Sequence, residues 1–321
     1  MTASYRRHVI EARDLTKYYG STRAVEELTF TVRPGRVTGF LGPNGSGKTT
    51  TMRLALGLDT PSGGQISVAG RRYRDLVRPL HTIGALLDAG DVLPTRSATA
   101  HLAFLAASNG ISHRRVDEVL AMVGLANVAG TPVKGFSLGM RQRLGIAAAI
   151  LGDPEILILD EPVNGLDTEG IRWIRTMLRA MADEGRTILL SSHLMSETQL
   201  VADHLLVIGE GRLLADESTE QFIESRTEPV VRIRGATLSP LLDELGPDTE
   251  IRGDTATVRG IRSREISRLA MASGVVLDEL TPIHESVEEV FTRLVADHQQ
   301  FGHREPAASH LDRTAPKDTV A

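Results

Sequence analysis

From Val9 to Phe40 apolar and polar residues alternate, with breaks at Gly20 and at Pro34-Gly35. A period of two matches the alternating faces of a pleated strand, so this region is predicted to form antiparallel strands. Its last stretch, Val37-Thr38-Gly39-Phe40-Leu41, is mostly apolar and predicts a buried strand, and Thr49 to Leu56 behind it predicts a helix. A turn at Pro61-Ser62-Gly63-Gly64 and a short strand up to Gly70 follow. From about Arg71 the spacing becomes helical, over Thr99 to Ser108, His113 to Val123 and Met140 to Leu151, with loops at 88–94 and 130–137. This block interrupts the α/β pattern as an insertion would. Two later runs, Ile156-Leu157-Ile158-Leu159 and Thr187-Ile188-Leu189-Leu190, do not alternate, as expected of strands covered on both faces in a parallel sheet. Each ends in polar residues, Asp160-Glu161 in the first case and Ser191-Ser192-His193 in the second.

From roughly Ser218 the composition shifts. Residues 230–295 read as a second small α/β unit, with strands near 230–234, 255–259 and 275–279 and helices near 240–245, 264–272 and 286–295. It carries no catalytic constellation. From Gln299 onward the chain is polar, with Pro306 and Pro316 and no apolar period, which predicts a disordered tail. The expected layout is therefore a main domain over 8–224 with its helical subdomain at about 85–152, an accessory α/β domain over 225–298, and the tail over 299–321.

Composition narrows the class only slightly. At 41% hydrophobic and 24% charged, the chain buries an ordinary core. A net charge of −5 and a pI near 6.1 argue against nucleic-acid binding through a basic face. With no cysteine there is no disulfide framework and no thiolate metal site. The first residues, Met1 to His8, lack the apolar segment of a secretory signal. The longest apolar stretch, Leu144 to Leu151, is too short to span a bilayer, so any membrane role is expected to come through a partner.

The chemistry concentrates at Gly42-Pro43-Asn44-Gly45-Ser46-Gly47-Lys48-Thr49-Thr50, which fits Gly-x-x-x-x-Gly-Lys-[Ser/Thr] between a predicted strand and helix. Glycines let successive N–H groups turn inward as an anion cradle, and the helix N-terminus adds partial positive charge. Lys48 is expected to reach the β- and γ-phosphates of a nucleotide, and the Thr49 hydroxyl to ligate Mg2+. Ligands of parallel sheets sit off the carboxyl ends of the strands, where Asp160 and Glu161 fall. Asp160 is assigned to Mg2+ through water, and Glu161 to orienting and deprotonating an attacking water. His193, at the end of the second run, is placed to donate to a γ-phosphate oxygen. Tyr18-Tyr19-Gly20 falls in a predicted turn; an aromatic there can stack on a nucleobase and equally serves as an ordinary turn residue.

One further stretch decides among phosphate-binding families. Phe136-Ser137-Leu138-Gly139-Met140-Arg141-Gln142-Arg143 resembles the signature Leu-Ser-Gly-Gly-Gln-Arg-Gln-Arg of the nucleotide-binding subunit of ABC transporters, matching at Ser137, Gly139, Arg141, Gln142 and Arg143 and departing at Phe136, Leu138 and Met140. The resemblance covers about 9–224 and implies a P-loop NTPase fold of ABC type: a parallel core sheet, an antiparallel β subdomain and a helical signature subdomain. It implies an ATPase using ATP and Mg2+. Two copies, or this chain and a paralogue, would meet head to tail, with Ser137 and Gly139 of each touching the γ-phosphate of the ATP on its partner's P-loop. ATP binding would close that dimer and hydrolysis reopen it. Asn164-Gly165-Leu166-Asp167 matches the D-loop, His193 the switch histidine and Tyr19 the base-stacking aromatic. Where the family usually carries a glutamine that senses Mg2+, alignment over Ile83 to Gly90 puts Asp88.

The helical block, the Glu161-Pro162-Val163-Asn164 context and the extra carboxyl-terminal domain resemble ATPases of bacterial type-2 exporters of the drug, antibiotic and bacteriocin-immunity branch. That implies a transmembrane permease as partner and a peripheral position on the inner face of the cell membrane. Two alternatives stay open at this point: an ABC-type ATPase working without a permease, and a slow ATP-dependent regulatory switch.

Overall fold

The computed structural model describes residues 9–192, 195–246, 249–283 and 286–302. In chain order the elements are β1 (Ile10–Tyr19), β2 (Thr22–Val32), β3 (Arg36–Leu41), α1 (Lys48–Ala55), β4 (Gly63–Val68), α2 (Pro79–Thr82) and β5 (Ile83–Leu86). The helical block supplies α3 (Ala98–Asn109), α4 (His113–Met122) and α5 (Leu138–Ile150). Then come β6 (Ile156–Leu159), α6 (Thr168–Asp183), β7 (Thr187–Ser191), α7 (Met195–Gln199), β8 (His204–Gly209), β9 (Arg212–Ser218) and α8 (Thr219–Glu224). The chain closes with β10 (Val230–Arg234), α9 (Ser239–Leu245), β11 (Thr249–Arg252), β12 (Thr255–Arg259), α10 (Ser263–Ala272), β13 (Glu279–Ile283) and α11 (Val287–Gly302).

The central sheet has the order β5-β6-β7-β3-β8-β9, parallel except for the β8–β9 pair. Its continuous apolar runs are explained by what lies on either side. Leu157 and Leu159 of β6, with Ile188 and Leu190 of β7, join the core formed with the helical block and α6. Their neighbours Ile156, Ile158 and Leu189 face the opposite way, into the core shared with β1, β2, β4 and α1. Successive side chains of a strand point to opposite faces, so a strand between two cores must be apolar at every position. The antiparallel sheet has the order β2-β1-β4, and its inward residues Ile10, Ala12, Leu15, Leu28 and Phe30 are buried. Tyr18 and Tyr19 prove to be the last residues of β1, and the turn begins at Gly20, whose φ of 60° favours glycine.

The carboxyl-terminal unit is an antiparallel sheet, β11-β12-β10-β13, with its own core of Val231, Ile233, Leu241, Val258 and Ile266 among others. One expectation for it is corrected and one strand is added. The strand expected at 275–279 starts only at Glu279, because Gly274, at φ 65°, ends α10 and the Val275 N–H closes on the Ala270 carbonyl at 2.8 Å, committing that backbone to the helix end. Strand β11 was not expected, since its residues are half-buried or exposed and Ile251 points outward, leaving no alternation to read.

Helix α11 runs to Gly302, past the point where the polar tail was expected to begin; residues 303–321 lie outside the described residues. It does not bury its apolar face in the small unit. Val287, Val290 and Phe291 join the core of the main domain, against α7 and α8. The Val287 N–H donates to Gln199 Oε1 at 3.0 Å, and Arg293 donates to the Arg226 carbonyl at 2.7 Å. Phe291→Ala is therefore expected to destabilise the main domain by about 3 kcal/mol, the usual cost of emptying a buried phenylalanine site. Urea unfolding followed through Trp173, the single tryptophan, which packs on that core, reads it; an unmoved midpoint would show α11 to be a loose appendage.

Candidate nucleotide site

The site starts where β3 ends. Gly42 passes so close to β8 that a Cβ there would lie 2.5 Å from the Ile208 carbonyl oxygen, and one on Gly47 would collide with the carbonyl of Ala24. Gly45 and Gly47 hold φ values of 80° and 103°, which turn the loop back on itself. Gly47 caps α1 without any side-chain acceptor, so the first-turn amides of α1 are left for a ligand. Ser46 Oγ is buried and has no partner among the described residues, as suits a cradle built for an added acceptor.

Lys48 is only 8% exposed and lies across the mouth of this loop, donating to the Gly42 carbonyl at 2.6 Å and the Pro43 carbonyl at 3.0 Å. Burial pushes the pKa of its ammonium down, while the carboxylates of Glu161 and Asp160 work against that shift. The loop carbonyls hold the amine where an anion can displace them.

Asp160 is the hub. It follows β6 and is 9% exposed. Its Oδ2 accepts from Thr49 Oγ1 at 2.6 Å, and its Oδ1 accepts from Ser191 Oγ at the end of β7. Hydrogen bonds to a charged partner contribute roughly 1.5–3 kcal/mol each, so the carboxylate is fixed from two sides. Glu161 has φ 50°, a left-handed backbone held by the Ser191 hydroxyl, which accepts its N–H at 3.0 Å, and by Gln142 Nε2, which donates 2.9 Å to its carbonyl. Ser191 and Gln142 were visible only as part of a polar triplet and a signature match; their contacts with Asp160 and Glu161 follow from strand order, which no local spacing reveals.

These groups open on a cavity of about 350 Å3 that includes Asn44, Lys48, Thr49, Asp160, Glu161 and Asn164 in its wall. Leu87 also lines it, whereas Asp88 does not; that carboxylate is exposed and accepts the Gly90 N–H at 2.7 Å, a bond it would have to release to reach a metal. His193 lies outside the described residues. Tyr19 is beside α1, with its hydroxyl on Asp59. Ser137 and Gly139 stand apart from the cavity: the Ser137 hydroxyl caps α5 by accepting the Met140 N–H at 3.2 Å. A Cβ on Gly139 would lie 2.5 Å from the Gly165 carbonyl oxygen, so the signature helix is in close contact with the loop after Glu161. Arg143 stacks 5.2 Å from the Trp173 ring centroid, fastening α5 to α6.

A glycine-rich loop opening a helix with a buried lysine, beside a strand whose terminal carboxylate holds the helix hydroxyl, defines a P-loop nucleoside triphosphatase. Within that class the chain belongs to the ATP-binding proteins of ABC transporters, which bind and hydrolyse ATP. Residues 25–164 match the family described as ABC transporter. The chain is 35% identical over 298 residues to the bacitracin transport ATP-binding protein of Bacillus licheniformis, covering 89% of this chain and 97% of that one. It is 36% identical over 209 residues to the lantibiotic transport ATP-binding protein SrtF of Streptococcus pyogenes, covering 65% of this chain and 90% of that one. A solved structure of the ATP-binding subunit of an ABC transporter matches with a TM-score of 0.63 at 27% identity, over 68% of this chain and 92% of that chain. Among the described residues no helix is long and apolar enough to cross a membrane.

Ser191→Ala removes the donor to Asp160 and the acceptor for the Glu161 N–H together. ATPase activity is expected to fall by about 10- to 100-fold, the usual cost of losing such a supporting contact. Steady-state phosphate release reads it, and a rate within twofold of the parent would show the serine to be dispensable.

Proposed function

We propose that this chain is the ATP-binding subunit of an exporter, resting on the inner face of the cell membrane against a separate transmembrane permease. Its relatives' names point to transport of bacitracin and lantibiotics, so the cargo class is an antibiotic or antimicrobial peptide. The observation that carries the mechanistic reading is the Asp160 centre, where the P-loop hydroxyl and the end of β7 meet on one buried carboxylate.

The loop amides of 42–47 and the first turn of α1 take the phosphates, with Lys48 leaving the Gly42 and Pro43 carbonyls for the β- and γ-phosphate oxygens. Thr49 and Asp160 would hold Mg2+, Asp160 through water, a reading supported by their direct hydrogen bond. When bound, Mg2+ supplies charge neutralisation to the phosphates. Glu161 orients the attacking water and takes its proton; its left-handed backbone turns it out of the strand line toward the cavity. His193 reads the γ-phosphate, and Tyr19 stacks on the base. Ser137 and Gly139 lie away from this chain's own cavity, which fits their acting on the nucleotide of a second copy. The contact between Gly139 and Gly165 then ties that trans contact to the loop following Glu161, so closure of the dimer and alignment of the base are one event.

Lys48→Ala is expected to leave negligible ATPase activity. Glu161→Gln, which keeps the shape and removes the proton acceptor, is expected to accumulate an ATP-bound dimer in light scattering. A Glu161→Gln protein that stays monomeric at saturating ATP would sink the sandwich reading.

A further inference from the structure

Beyond the phosphate site, the end of β1 carries a side-chain cluster that the ATPase chemistry does not use. Tyr19 Oη donates to Asp59 Oδ2 at 2.7 Å, and the same oxygen accepts from Arg53 Nε at 2.7 Å. Arg53 is on α1, whose first turn holds Lys48 and Thr49. Asp59, with a side chain only 18% exposed, therefore joins the phosphate-binding helix to the aromatic ring. The segment around it is tied down independently: Lys17 Nζ donates to the Thr60 carbonyl at 2.8 Å, the Tyr18 N–H to Ser62 Oγ at 3.0 Å, and the Ser62 N–H to the Thr16 carbonyl at 2.8 Å. Lys17 Nζ also lies over the Tyr19 ring, 4.9 Å from its centroid. An ammonium on one face of a half-exposed ring leaves the other for a planar ligand.

We propose that Asp59 is a positioning residue for ATP: by holding the Tyr19 hydroxyl and Arg53 on one carboxylate oxygen, it fixes the base-stacking ring relative to the phosphate site. The inference rests on the reading of Tyr19 as the base platform. The hydrogen bond from Arg53, and after it that from Tyr19, hold the Asp59 carboxyl below the usual carboxylate range. An unanchored tyrosine would still meet a base, but the rotamer freedom lost on binding would then weigh against affinity. The effect belongs to recognition of the base, not to the chemistry of the phosphates.

Inorganic triphosphate, which has phosphates and no base, separates the two. In the full-length chain, Asp59→Ala is expected to raise the KM for ATP about three- to tenfold with kcat within twofold, since one charge-assisted tether is lost. The inhibition constant of inorganic triphosphate against ATP hydrolysis is expected to stay put. Tyr19→Phe, which keeps the ring and loses the tether, should match Asp59→Ala; the double variant should be no worse than either, and Asp59→Asn, which keeps an acceptor oxygen, should recover most of the affinity. Equal shifts for ATP and inorganic triphosphate would overturn the proposal by showing that Asp59 merely supports α1 through Arg53. Tyr19→Ala raising the KM while Asp59→Ala does not would leave the platform standing and remove Asp59 from it. Tyr19→Ala without effect would remove the platform itself.

Discussion

Everything in the nucleotide site depends on one desolvated carboxylate. Asp160 is held from α1 by the Thr49 hydroxyl and from β7 by the Ser191 hydroxyl, and its own N–H continues the β5–β6 ladder by donating to the Leu86 carbonyl at 2.7 Å. Three strands of the sheet and the helix α1 thus converge on a single residue. A buried carboxylate is costly unless its oxygens are bonded, so these partners are conditions of its existence as much as refinements. Lys48 is buried beside it, its pKa lowered by that burial and raised in opposition by the Glu161 and Asp160 carboxylates.

The sheet that delivers Asp160 is rigid for the reason its strands are apolar throughout. Alternate residues of β6 and β7 are pinned in two different cores, one made with the helical block and one with the antiparallel sheet. Slippage of either strand by one residue would exchange the two sets and disturb both cores at once. The position of a strand's last residue is thereby set by burial far from the site, which is how an ordinary hydrophobic pattern yields placement accurate enough for catalysis.

Much of this was legible in the sequence. The glycine-rich loop, the two apolar runs and the signature octet are local patterns, and local patterns carry their own geometry: a strand, a turn that only glycine tolerates, a helix start. What sequence could not show was adjacency. That Ser191 would reach Asp160 follows from β7 lying next to β6, and that Leu87, not Asp88, would line the cavity follows from which face of the chain turns inward after β5. The same limit explains the carboxyl-terminal errors. Val275, Val276 and Leu277 have strand-like composition, but the backbone at Val275 is already committed to closing α10. The apolar stripe of α11 was visible, while the core it belongs to was not, because only tertiary structure says which of two cores lies beneath it.

That allegiance of α11 changes what the small unit is. The chain leaves the main domain after α8, builds the β10–β13 sheet, and returns to lay α11 against α7 and α8, with Gln199 capping its first turn and the Arg226 carbonyl taking Arg293. The unit is in effect an insertion, moored at both ends to neighbouring points, and not a pendant tail. One of those moorings is α7, which comes next in the chain after β7, the strand carrying Ser191.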